Sequence, residues 1–350
     1  MSPDGRDTTA LAALDLVGPA LAAAVGDDRW RAPSASLIAG GKSNLTFVLS
    51  SPAGEVILRR PPSGDLLPSA HDMGREVRVQ RALADTAVPV PRILLTDDGT
   101  LTGTPFYVME RVRGLTIRDE LPAGYASTPA AKTELADALV DTLADLHAVD
   151  AATVGLGDFG RPTGFLARQV RRWTGQWERS RTRDVPEVRR LAGLLAERVE
   201  AVGAGARTSI VHGDFRLDNC LMDPGDPATV NAVLDWEMAT LGDPMTDIAL
   251  LLLYWREPGD DVLPMVPALT RDPGFPSRAH LARRYAERAG VPLHDLAVYE
   301  AFAYFKFAVI VQGILARTAA GSMAGQQFEE AGAGVAGLAR EGLARLGEQE

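Results

Sequence analysis

The segment His212-Gly213-Asp214-Phe215-Arg216-Leu217-Asp218-Asn219 places a carboxylate five positions ahead of a carboxamide. It follows the β-branched run Ser209 to Val211, so the pair is expected on a short loop at a strand end. Such a loop can aim an aspartate at an acceptor hydroxyl while its far end returns an amide oxygen to a metal ion, the division of labour that phosphoryl transfer requires. A second run, Val230 to Leu234, delivers Asp235 at its end, where a second metal-binding group is expected. Taken singly, an aspartate in a turn is an ordinary turn former. Strand, His-Gly-Asp, asparagine, strand and Asp235, in that order, select the chemical reading.

The spacing matches the H-R-D-x-x-x-x-N catalytic loop of protein kinases, and Asp235 falls where kinases carry the D-F-G aspartate. From about Leu37 to beyond Leu253 the chain resembles the aminoglycoside phosphotransferase family, a branch of the protein-kinase-like fold. Within that family it most resembles the kinase-like proteins associated with acyl-CoA dehydrogenases. The residues that carry this closer match are Leu58-Arg59-Arg60-Pro61-Pro62, Leu66-Leu67-Pro68-Ser69-Ala70-His71 and Asp235-Trp236-Glu237-Met238-Ala239-Thr240-Leu241-Gly242-Asp243-Pro244. The resemblance implies that Asp214 is the catalytic aspartate and that Asn219 and Asp235 are Mg2+ ligands. It places Arg216 near the transferring phosphoryl group, where a guanidinium can stabilise equatorial charge; the alternative is a solvent-exposed loop arginine. Asp247 is implied to be a buried aspartate that hydrogen-bonds the catalytic-loop backbone, and His212 reads as a packed loop anchor.

On the nucleotide side, Gly40-Gly41-Lys42-Ser43-Asn44 lies between two predicted strands. Gly40, Gly41, Ser43 and Asn44 are candidates for a flexible turn over the triphosphate, since glycines let backbone amides approach phosphate oxygens. The same residues also make an ordinary hairpin turn. The third strand is expected to bring a cation to the α- and β-phosphates, paired with a glutamate on an inserted helix; the candidates are Arg59 and Glu76. Arginine here departs from the usual lysine, and a planar guanidinium is not a neutral exchange for an ammonium. The stretch ending Glu110-Arg111-Val112 is expected to be the hinge that meets the adenine edge through the backbone at Glu110 and Val112. ATP is the default donor, with GTP as the alternative. His71 stands just before the Glu76 helix, near the phosphates or packed at the helix start.

These groups need a frame. Short strands are expected at Leu37 to Ile38, Thr46 to Leu49, Glu55 to Leu58, Ile93 to Leu95 and Phe106 to Met109, with one helix over Met73 to Leu83. Ala10 to Val25 reads as an amphipathic helix. After Gly114 the character turns helical, with Leu135, Leu139, Leu143 and Leu146 on one face. The expected class is α+β, a bilobal kinase-like fold: residues 1–112 as a small antiparallel β-sheet lobe with one helix, residues 113–350 as a larger, mostly helical lobe holding the catalytic loop and acceptor site.

The chain has 350 residues, 46% of them hydrophobic, enough for a sizeable core without staples. One cysteine, Cys220, excludes an internal disulfide and fits a cytoplasmic protein. The longest strongly apolar run, Ile248 to Trp255, is shorter than the roughly 20 residues that cross a bilayer, so no membrane span is expected. A net charge of −10 disfavours nucleic acid as a partner.

Arg161 to Arg190 carries nine arginines against three acids. If it faces the acceptor, it opposes polycations and favours an anionic or CoA-linked small-molecule hydroxyl substrate, such as a hydroxy acid or hydroxyacyl-CoA. If not, it is a solvated face balanced elsewhere. The resemblance points the same way as the first reading, through a functional association with acyl-CoA dehydrogenase. Trp173 and Trp177 read as core, with an acyl chain or adenine as the alternative contact. The competing functions are an antibiotic phosphotransferase and a catalytically silent nucleotide-binding protein. A protein kinase is disfavoured because no A-P-E segment follows Asp235.

Overall fold

A computed structural model of the chain describes residues 8–38, 44–62, 72–203, 207–263, 265–319 and 331–348. Its contacts divide the chain into two units, residues 1–114 with 231–239, and residues 115–230 with 240–350.

In the first unit, alternating apolar residues make a five-stranded antiparallel sheet. Its strands are β1 (Ser34–Leu37), β2 (Leu45–Ser51), β3 (Gly54–Arg60), β4 (Ile93–Asp97) and β5 (Phe106–Glu110), in the order β1-β2-β3-β5-β4. Successive side chains leave a strand on opposite faces, and the two faces here have different coverings. Phe47, Leu49, Val56, Leu58, Phe106 and Val108 pack with the N-terminal helices α1 (Thr8–Ala12) and α2 (Leu14–Val25). Val48, Ile57, Tyr107 and Met109 pack with Met73 and Val77 of α3 (Met73–Leu83). Arg59, two residues after Ile57, is therefore delivered to the α3 side. The segment expected as one helix over Ala10 to Val25 is two, because Ala13 takes a left-handed conformation (φ 48°) between α1 and α2.

Residues 231–239 belong to this unit, in contrast to a division at 112/113, and the reason is local bonding. Val233 N donates to Pro89 O at 2.8 Å, and Asn231 Nδ2 to Arg113 O at 3.0 Å. The Arg75 guanidinium donates to Ala239 O through Nε at 3.2 Å and Nη2 at 3.1 Å.

The second unit contains α4 (Pro129–Ala148), α5 (Phe165–Ser180), α6 (Pro186–Val202), α7 (Met245–Tyr254), α8 (Arg278–Ala289), α9 (Leu296–Ala319) and α10 (Ala331–Arg345). Its short strands β6 (Leu115–Thr116), β7 (Ser209–Val211), β8 (Cys220–Met222) and β10 (Thr240–Gly242) form two antiparallel pairs, β6 with β8 and β7 with β10; β9 is Val230–Val233. Helix α5 buries Leu166, Val170, Trp173 and Trp177 on one face, in a core shared with α6, α7, α9 and α10.

Helix α9 has the length and apolarity to cross a membrane, against the expectation of no such span, yet 78% of its apolar window is buried inside the protein. Its composition is explained by that packing.

The β7–β10 pair sets the base of the His212 loop, and Gly160 lies against it. A Cβ at Gly160 would stand 2.5 Å from Thr240 Oγ1 and 2.7 Å from Leu241 N. Backbone cannot yield as a flexible side chain can, so Gly160→Ala is expected to destabilise the protein by about 1–3 kcal/mol, read as a lowered denaturation midpoint. An unchanged midpoint would contradict this packing.

Candidate active site

The loop from His212 to Asn219 leaves β7 and is held from below by Asp247 on α7. The Asp247 carboxylate accepts from His212 N at 2.6 Å and from Gly213 N at 2.9 Å, and faces His147 Nε2 at 3.3 Å. Burial alone would raise its pKa; the His147 contact, the nearby His212 and the Gly213 amide outweigh burial and hold the carboxyl below its ordinary value. His212 is fully buried, and its Nδ1 accepts from Asp214 N at 3.2 Å. It anchors the loop.

Asn219 is fixed to Asp214: its Nδ2 donates to Asp214 O at 2.8 Å and to Oδ2 at 3.1 Å. The donors of the amide are thus spent, and its oxygen remains as a hard ligand atom. Arg216 pairs with Asp218 at 3.0 Å and Asp214 at 3.5 Å, and its guanidinium lies 4.8 Å from the Tyr254 ring. It is not an exposed loop arginine. Burial raises the Asp218 pKa against the opposing pull of Arg216 and Arg118, the latter at 3.5 Å. The buried Tyr254 hydroxyl faces the Asp214 carboxylate, and burial together with that neighbour pushes its pKa well up. Lys306 Nζ donates to Gly213 O at 2.8 Å. Cys220, next to Asn219, is fully buried, which raises its thiol pKa.

In the first unit, Arg59 meets Glu76 of α3 at 3.1 Å, Asp235 at 2.6 Å and Glu237 at 3.8 Å. Tyr107 donates its hydroxyl to Glu76 Oε2 at 2.8 Å, and Asn44 Nδ2 donates to Glu76 Oε1 at 3.1 Å and Glu237 Oε2 at 3.4 Å. Asp235 has φ 66°, a left-handed conformation that an aspartate adopts more readily than most residues but that still carries strain. One guanidinium serves three carboxylates. Burial therefore pushes Glu76 up to about 7, ahead of the lowering by Arg59 and Tyr107, with Asp235 and Glu237 adding to the rise.

At the end of β5, the Glu110 amide donates to Arg92 O at 2.9 Å and its side chain is exposed, whereas Val112 lies beyond the strand. Gly40, Gly41, Ser43 and His71 lie outside the described residues. Trp173 and Trp177 are core residues. Four of the nine arginines of the stretch pair with acids: Arg171 with Glu200 at 3.5 Å, Arg181 with Glu178 at 2.9 Å, Arg189 with Asp184 at 3.0 Å and Arg190 with Glu348 at 2.9 Å. Arg168 donates to the carbonyls of Arg161 and Thr163. The ion pairs favour the balanced-face alternative for those four residues.

A family model described as the phosphotransferase enzyme family matches residues 34–303. The chain belongs to that family. The phosphotransferase is 36% identical over 299 residues to mouse acyl-CoA dehydrogenase family member 10, a match covering 83% of this chain but only 27% of the mouse protein. A Ralstonia eutropha structure assigned to the aminoglycoside phosphotransferases superposes with a TM-score of 0.79 at 33% identity, covering 97% of this chain and 98% of the other. An aminoglycoside phosphotransferase in ternary complex with AMP-PNP and hygromycin B shares the fold, with a TM-score of 0.60 at 18% identity, over 94% of this chain and 98% of the other. The kinase-like α+β class expected from the sequence is the class of these structures.

Tyr254, Lys306 and Glu237 were not singled out from the sequence. Glu237 was visible two positions after Asp235. Tyr254 and Lys306 sit within long apolar runs of α7 and α9, where a single polar group is the only signal.

Because Glu76 ordinarily ionises near 4.5 and here near 7, the folded state binds more protons than the unfolded chain between those values. Its contribution to stability is therefore expected to fall as pH rises through that window. Urea midpoints measured against pH should show this slope in the wild type and a flatter one in Glu76→Gln; equal slopes would refute the assignment.

Proposed function

We propose that this phosphotransferase moves the γ-phosphoryl group of ATP to the hydroxyl of a small molecule, a hydroxy acid or a hydroxyacyl-CoA. The observation that carries the reading is the Asp214–Asn219 pair, in which the asparagine spends its donors on the aspartate and keeps its amide oxygen for a metal. In the proposed reaction the acceptor oxygen forms a bond to the γ-phosphorus as the bond to the bridging oxygen breaks. The hydroxyl proton passes to Asp214 and ADP leaves. Arg216, held by Asp218 and set 4.8 Å from the Tyr254 ring, would stabilise charge on the transferring group.

The oxygen donors Asn219 Oδ1 and Asp235 suit Mg2+, which takes one or two protein carboxylates together with nucleotide phosphates. When bound, the ion would neutralise phosphate charge. Among the described residues no three His, Cys, Asp or Glu side chains converge into an all-protein cage, and such an ion does not need one. Arg59 is the proposed phosphate-contacting cation, with Glu76 fixing its direction. Gly40, Gly41, Ser43, Asn44, Glu110 and Val112 are the residues proposed to line the nucleotide. The match to acyl-CoA dehydrogenase family member 10 supports an acyl acceptor and an association with that dehydrogenase chemistry.

The silent-binder reading draws on one observation, the Arg59 guanidinium set 2.6 Å from Asp235. The two readings part on Asp214→Asn. It is expected to lower kcat by about 10²–10⁴-fold, with nucleotide affinity changed less than about threefold. Acceptor-independent behaviour identical to the wild type would sink the phosphotransferase reading. Asp235→Ala is expected to weaken Mg2+-dependent ATP binding about tenfold or more, as measured by calorimetry, the counterpart of at least about 1.4 kcal/mol. Unchanged affinity would remove Asp235 from the metal site.

A further inference from the structure

Besides the ion-paired arginines, helix α9 brings a cation to the catalytic loop. Lys306 interrupts a mostly buried, apolar helix, and it is partly buried itself. A buried ammonium has three donors to satisfy. Among the described residues, its one hydrogen bond is to Gly213 O, the carbonyl just before Asp214. Among those residues, two of its N–H groups find no acceptor.

The charges acting on it explain why they stay open. Burial opposes the ammonium most and lowers its pKa; Asp214 and Asp247 favour the charge, and Arg172 opposes it. The Asp247 carboxylate is committed to two loop amides and His147. Asp214 already meets Asn219, Arg216 and Tyr254. Lys306 Nζ and Arg172 Cζ lie 5.8 and 5.9 Å from the centroid of the same Trp173 indole. Two like charges share one ring face or edge, and Arg172 is exposed. An anion near them would gain from both charges and relieve their repulsion, while a polycation would add a third like charge.

We propose that Lys306 and Arg172 form the acceptor-recognition site of this enzyme, taking a substrate whose carboxylate or phosphate accompanies the hydroxyl presented to Asp214. This rests on the phosphotransferase reading above and narrows its substrate class. Lys306 also positions the loop through Gly213, so its test must separate the two roles.

The experiment measures equilibrium binding of hydroxybutyrate, its CoA thioester and uncharged butanediol to the full chain by calorimetry, alongside ADP release. The wild type is expected to bind at least one anion about tenfold or more tighter than butanediol. The preferred anion distinguishes carboxylate from phosphate recognition. Lys306→Met and Arg172→Gln should each weaken that anion about tenfold while butanediol and ATP binding shift less than about threefold. Arg172 is exposed, so its variant keeps the test readable even where Lys306→Met does not fold. Equal losses for all three probes in both variants would overturn the proposal, as would a wild type that binds them alike or binds none. Anion-selective binding without any ADP release would instead count against the phosphotransferase reading and leave the recognition site standing.

Discussion

Asp247 accepts two consecutive loop amides, at 2.6 and 2.9 Å, from a fully buried position on α7. An ionised carboxylate so far from water is tolerable only because each of its oxygens is occupied. His147, from α4, contributes one of those contacts and is itself fixed by Tyr285 of α8 at 2.7 Å through Nδ1. The His147 carbonyl then accepts from Ser209 Oγ on β7 at 2.9 Å. Three helices and a strand thereby converge on the backbone of two residues. The side chain of Asp214 inherits its place from this arrangement, and Asn219 in turn takes its place from Asp214.

The first unit solves a different electrostatic problem. Arg59, Glu76, Asp235 and Glu237 leave a surplus of negative charge around a single guanidinium. In the proposed reaction the nucleotide brings still more. The proposed divalent ion would offset that surplus. The left-handed backbone at Asp235 shows that the chain accepts local strain to set that carboxylate.

Period and position explain what could be read from the sequence. The strands were legible because alternation is a two-residue pattern, and the same alternation predicts that Arg59 leaves the sheet on the side of Ile57. The Met73 to Leu83 helix was legible from its apolar spacing, with Glu76 at a buried position between Met73 and Val77. The break at Ala13 was not, since alanine carries no signal for a left-handed residue. Nor could sequence decide the arginine-rich stretch: its partners Glu200 and Glu348 are distant along the chain and become neighbours only on folding. Lys306 was hidden for the opposite reason, as one charge in an apolar helix whose meaning depends on the Gly213 carbonyl, which is 93 positions away in sequence.

Cys220 follows Asn219 directly and is wholly enclosed, with a thiol held protonated by burial. Thiol reagents attack the thiolate, so reaction at this sulfur waits on an opening of the strand that ends the catalytic loop. The rate at which the native protein is alkylated thus becomes a clock for breathing of the loop, built into the chain at its one cysteine.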